Sequence, residues 1–283
     1  MRRILSFILA AVFLAGATSA AAQTVSFKNI AARVVIIPEP RSDVQVLFLK
    51  TNPRLPMKVV SLINDTTQVQ PANWTGWFFG PHADCGGGGD SPSVRVPGAG
   101  VIDYDDLPQI TVRVPMDAKV VAGGAIYGSA ARSQTMRLVI AGCGDWTVAN
   151  VQDDLWVEFA GSGRLHTGSA GSMTLRIAGA ATTTTTEVRN GLTINVAGVG
   201  NVKVLQASGP LGVHLAGGGD VRIDGGRATT MAVHIAGSGT VDYGGVADSL
   251  DANIAGSGDI HAAKVIGAVN KFIAGSGTVD VGQ

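Results

Sequence analysis

One phrase recurs along this chain: an apolar residue, then alanine, then glycine, at Val121, Ile140, Phe159, Ile177, Val196, Leu215, Ile235, Ile254 and Ile273. Successive copies lie 19, 19, 18, 19, 19, 20, 19 and 19 residues apart. A fixed period of this length marks a stacked repeat. One such unit is too short to bury its own apolar face and gains a core only from its neighbours.

In the eight copies from Ile140 onward, five positions stand out: four and two before the apolar anchor, the anchor itself, and six and eight after it. They are apolar in 36 of 40 cases, where a hydrophobic content of 46 % would give about 18. Spacing by two within each arm makes each arm a strand with one inward face. Between the arms stands Ala-Gly-x-Gly, where a sharp change of direction asks for backbone angles that glycine reaches cheaply. Each copy therefore reads as strand, glycine corner, strand and short return. Stacked in parallel at about 4.8 Å, like residues pile into continuous ladders. The predicted fold is all-β: a parallel β-helix, or β-solenoid, of glycine-cornered coils about 19 residues long. The copy at Val121 keeps the corner but not the column spacing, and marks where the regular helix starts. The copy at Ile177 lacks the second glycine and puts Thr183 and Thr185 in apolar columns, which predicts a distorted coil.

Residues 1–22 read as a signal peptide. Arg2 and Arg3 precede an apolar run from Ile4 to Leu14, and Ala20, Ala21 and Ala22 offer a cleavage site before Gln23. That run is shorter than the roughly 20 residues of a spanning helix. The processed chain is thus expected to be exported without a transmembrane segment, to the periplasm or to the cell surface and beyond. Residues 23–115 hold strand-like runs without the repeat and are expected to cap the solenoid, whose first coil would otherwise leave backbone groups unpaired. Residues 116–283 form the repetitive helix. Within the cap, the loop 72–92 gathers Trp74, Trp77, Phe78 and Phe79 ahead of four glycines, a candidate ligand-contact loop.

Lys plus Arg and Asp plus Glu both number 21, so no clustered charge favours nucleic acid. Glycine is abundant, yet the hydrophobic content is too high for a disordered chain. Cys85 and Cys143 are the only cysteines and, in a chain bound for an oxidising compartment, a candidate disulfide.

Parallel β-helices also carry polysaccharide lyases and hydrolases, whose chemistry gathers carboxylates, or a base and a cation site, on one face. Here the residues following the corner include Asp145, Arg164, Asn201, Asp220, Thr240, Asp259 and Thr278, a mixture that suits turn capping. Lys203, Arg222, Asp242 and His261 read as a surface charge ladder. His214 and His234 share an outward column in adjacent coils, but Asn195 and Asn253 flank them and no acid or thiol completes a metal set. No catalytic, metal-ligating or cofactor-binding residue is predicted, and no cofactor.

The segment PQITVRVPMDAKVVAGGAIYG, followed by tandem IAGSGD coils, resembles the bacterial family of auto-transporter adhesin head domains, also called GIN domains. The segment FKNIAARVVIIPEPRSDVQVLFLK is similar to that family's opening strands. The resemblance covers most of the processed chain and implies a secreted or envelope β-helix, with adhesion proposed for the family and no catalytic residues to carry over. The loop around Trp74 and the acidic DYDD at Asp103 to Asp106 depart from the family pattern. The expected function is a non-enzymatic binding or adhesion surface for an envelope protein or a glycan. A carbohydrate-active β-helix enzyme and a structural envelope protein that self-associates into a homo-oligomer are the alternatives. Lys271 stands in a column that is apolar in every earlier coil, and is the expected edge guard against addition of another strand.

Overall fold

The computed structural model describes residues 23–62, 65–73, 83–86 and 92–282. The segment read as a signal peptide lies outside them, and so do Trp74, Trp77, Phe78 and Phe79. The chain forms a nearly all-β parallel solenoid of about nine coils, near 19 residues apart.

Corners come first in the geometry. Gly124, Gly142, Gly161, Gly179, Gly198, Gly217, Gly237, Gly256 and Gly275 succeed one another with φ between +118° and +141°. A Cβ on Gly217 would collide with the carbonyl oxygen of Gly198 one coil earlier, so this column needs glycine for both its backbone angle and its close approach. On either side the strands pair in parallel, residue upon like residue: Leu175, Ile194 and Val213 in one ladder, Leu215, Ile235 and Ile254 in another. All five predicted columns are buried in every coil from Ile140 to Ile254.

The return segments add an inward column of their own. Ala170, Val188 and Ala207 pair in register and are buried, and Ala228 and Ala247 continue the same side of the core.

Two local expectations are corrected. Gly142 pairs with Gly124 and Ile140 with Ala122, so the anchor of that early coil is Ala122 rather than Val121. Ala122 is buried, whereas Val121 faces outward with Val139. The coil from Ile177 is not distorted. Ser172–Val188 is one unbroken strand, in register with both neighbouring coils. Thr185 fits by sharing a hydroxyl hydrogen bond of 2.9 Å with Thr167, Thr183 is fully buried with its hydroxyl unpaired among the described residues, and Ala181 is fully buried where other coils have glycine.

Solenoid stacking also takes in the amino-terminal strand. Thr24–Pro38 lies parallel to Lys119–Ala130 on one side and to Thr66–Pro71 and Gln109–Val114 on the other. Its corner uses Asn29 at φ 51°, and asparagine is among the side chains that tolerate this region best. Beyond it the direction changes: at the end of the stack Met57–Leu62 pairs antiparallel with Thr66–Pro71, and Gln45–Lys50 antiparallel with Gln109–Val114. Between Thr66–Pro71 and Gln109–Val114 an insertion folds into a three-stranded antiparallel sheet of Asp84–Cys85, Ser93–Val96 and Gly100–Asp103.

Candidate functional site

The residue after the anchor is alanine in every coil, from Ala141 to Ala274, and these alanines lie exposed on the outward side of the first arm. Beside them runs the column Glu158, Arg176, Asn195, His214, His234, Asn253 and Phe272. A floor of small residues below a wall of larger ones makes a groove of about 920 Å³ along the coils. At its middle the rings of His214 and His234 stack, 4.9 Å between centroids and 3° between planes. Burial, and after it the charge of His234, holds His214 below the ordinary imidazole range. His214 is therefore neutral at pH 7, with one ring nitrogen to donate and one to accept. At the near end of the groove, Arg137 and Arg176 each lie 4.8 Å from the ring of Trp156.

The second arm carries charge of a different kind. Asp145 accepts from the backbone N–H of Arg164, Asp220 from that of Thr240 and Asp259 from that of Thr278. Each carboxylate thus caps the coil that follows its own, which is the turn-capping role extended across the stack. Arg222 pairs with Asp242 at 3.0 Å and His261 with Asp280 at 3.2 Å, forming the surface charge ladder. These pairs are exposed and contribute little to stability.

Where the insertion meets the coils, Cys85 is joined to Cys143 by a disulfide with 5.7 Å between Cα atoms. Val94, Ile102 and Leu107 from the insertion pack on Ala31 and Ala125 of the coils, a small core separate from the main one. At the rim of this seam lies a pocket of about 530 Å³ between Tyr104 on the insertion and the second arm of the first coils. The rings of Tyr104 and Tyr127 meet edge to face, 5.0 Å apart at 86°. The guanidinium of Arg33 lies 4.7 Å from the centre of the Tyr104 ring.

A family model described as "Putative auto-transporter adhesin, head GIN domain" matches residues 106–226 and 207–283. The chain belongs to the GIN domain family. No curated protein matches it. Among solved structures, one described as "Putative lipid binding protein from Parabacteroides distasonis ATCC 8503" is similar at 17 % identity and a TM-score of 0.47, over 93 % of each chain.

In this GIN domain Lys271 sits in the last described coil, where its ammonium donates to the carbonyl of Val279 at 2.9 Å. It spans the two arms of that coil across the open end of the core. Among the described residues, no group of three or more His, Cys, Asp or Glu stands ready to hold a metal ion, and no helix is long and apolar enough to cross a membrane. The groove joins residues that repetition already singled out. The pocket joins Arg33, Tyr104 and Tyr127, which sequence reasoning missed; the DYDD departure around Tyr104 was the one signal pointing there.

Proposed function

We propose that this GIN domain is an exported, non-enzymatic binding protein of the bacterial envelope, and that its alanine-floored groove receives an extended glycan or protein chain. One observation carries the reading: the exposed face offers the same floor in every coil, at a spacing of about 4.8 Å, with stacked His214 and His234 at its centre. A partner that is itself extended meets a fresh copy of the floor at each coil, so modest contacts add up along its length. Membership of a family described as adhesin heads supports a binding role.

The test is retention of the purified protein on envelope fractions, compared with the double variant His214→Ala and His234→Ala. Saturable binding that the double variant weakens is the expected result. Unchanged binding would move the interaction off the groove. Absent binding together with cleavage of a polysaccharide by the purified protein would replace the whole reading with an enzymatic one. Protease treatment of intact cells would then place the protein: digestion from outside favours the surface, protection favours the periplasm.

A further inference from the structure

We propose that the pocket between Tyr104 and the first coils binds one neutral sugar unit of a glycan. The inference rests on the glycan half of the reading above, but on a different surface. The groove follows the first arm of the coils, whereas this pocket opens on the second arm, at the seam with the insertion.

The chemistry selects the ligand class. A volume of about 530 Å³ admits one or two sugar rings and suits a small-molecule site. Its walls include the two tyrosine rings set at right angles, the hydroxyls of Ser129 and Thr147, the carboxylate of Asp145 and the guanidinium of Arg33. The charges are matched. Arg33 faces Asp105 at 3.6 Å, and Arg164 binds Asp145 through its side chain at 2.6 Å. A phosphate or carboxylate ligand would find no unmatched cation there. A purely apolar ligand would cover hydroxyls and a carboxylate without giving them partners, at a cost in desolvation. What remains is a neutral molecule with apolar faces for the rings and many hydroxyls that both donate and accept, which describes a hexose.

A further observation agrees. Burial, and after it the charge of Asp145, raises the pKa of Tyr127, so its phenol keeps its proton and stays a donor. The site is also held in shape. Tyr104 follows directly on the strand Gly100–Asp103, whose sheet is fixed to the coils by the Cys85 to Cys143 disulfide and by its own small core. A wall fixed in advance loses little entropy on binding.

The experiment is saturation-transfer NMR on the purified protein with the methyl glycosides of glucose, galactose, mannose and N-acetylglucosamine. Methyl glucuronoside and inorganic phosphate form the acidic arms. At least one neutral glycoside is expected to give saturable transfer, with both acidic probes weaker. Tyr104→Ala should weaken that binding roughly three- to tenfold, the effect of losing one aromatic contact. Ser129→Trp fills the pocket from an outward position and should abolish it. Binding should survive the groove variant His214→Ala and His234→Ala. No transfer to any neutral glycoside would overturn the proposal. So would a preference for glucuronoside or phosphate, or binding untouched by both pocket variants. Glycoside binding kept while envelope retention fails would sink the groove and leave the pocket standing; the converse would sink the pocket alone.

Discussion

At the scale of single residues, the nine corner glycines bear more constraint than any core side chain. A methyl group on Gly217 would meet the backbone of Gly198, and the φ of +132° is strained for any L side chain. The atoms it would meet belong to the main chain rather than to the flexible end of a side chain, so nothing nearby can give way. Gly217→Ala is expected to destabilise the protein by about 3 kcal/mol or more, read as a lowered denaturation midpoint. Gly212 makes the comparison fair. It belongs to the same coil, in the strand that leads to the anchor Leu215, with no positive φ and only the Thr193 hydroxyl at 3.9 Å from an added Cβ. Gly212→Ala should change stability by no more than about 0.5 kcal/mol, or raise it slightly by restricting the unfolded chain. Equal losses from both substitutions would mean that the corner is not special.

At the scale of elements, the insertion is the part whose attachment needs explaining. Its three short strands would be marginal alone, and it is held to the coils by a small core and one disulfide that spans 58 residues of sequence. Replacing both cysteines, Cys85→Ser with Cys143→Ser, should cost about 2 to 4 kcal/mol by freeing the unfolded chain. Thermal unfolding should shift down while the β signature in circular dichroism persists below the transition. An unshifted transition would assign the attachment to Val94, Ile102 and Leu107 alone. The arms of the coils are legible in the sequence because one side of a strand repeats every second residue, and stacking forces the same side chain type into each rung. The return column is not, because Ala170, Val188 and Ala207 are small residues in segments whose length varies between copies. The early coil misleads by one position because Ala122, Gly123 and Gly124 offer two glycines for a single corner, and only pairing with Gly142 decides between them. The pocket is illegible for a different reason. Arg33, Tyr127 and Asp145 are stacked in neighbouring coils, and only the insertion folding back onto those coils brings Tyr104 to the same place.

At the scale of the whole molecule, the two ends of the stack are finished differently. One carries antiparallel strands. The other ends, within the described residues, in a coil whose Val269, Phe272 and Ile273 are exposed, with Lys271 reaching across to the carbonyl of Val279. A strand added to that edge would bring its own apolar column against an ammonium. Lys271→Val restores the apolar rung and should raise end-to-end association, seen as a concentration-dependent increase in sedimentation coefficient. Identical sedimentation of variant and parent would remove the guard from consideration.

The position of Thr24–Pro38 inside the stack bears on how the chain is assembled in time. Both flanks of this strand are filled by segments that come later in the sequence, Thr66–Pro71 and Gln109–Val114 on one side and Lys119–Ala130 on the other. Every coil after Met136, by contrast, is laid onto a template that has already emerged. Delivered amino end first, the chain therefore starts with a long-range closure and only then settles into fast local growth, coil by coil. Until Ala130 is out, Val25, Phe27, Val34 and Ile36 lack the neighbours that bury them in the finished stack. The leading segment travels as an open, adhesive strand until its partners arrive, and any factor that escorts the nascent protein has that stretch to hold.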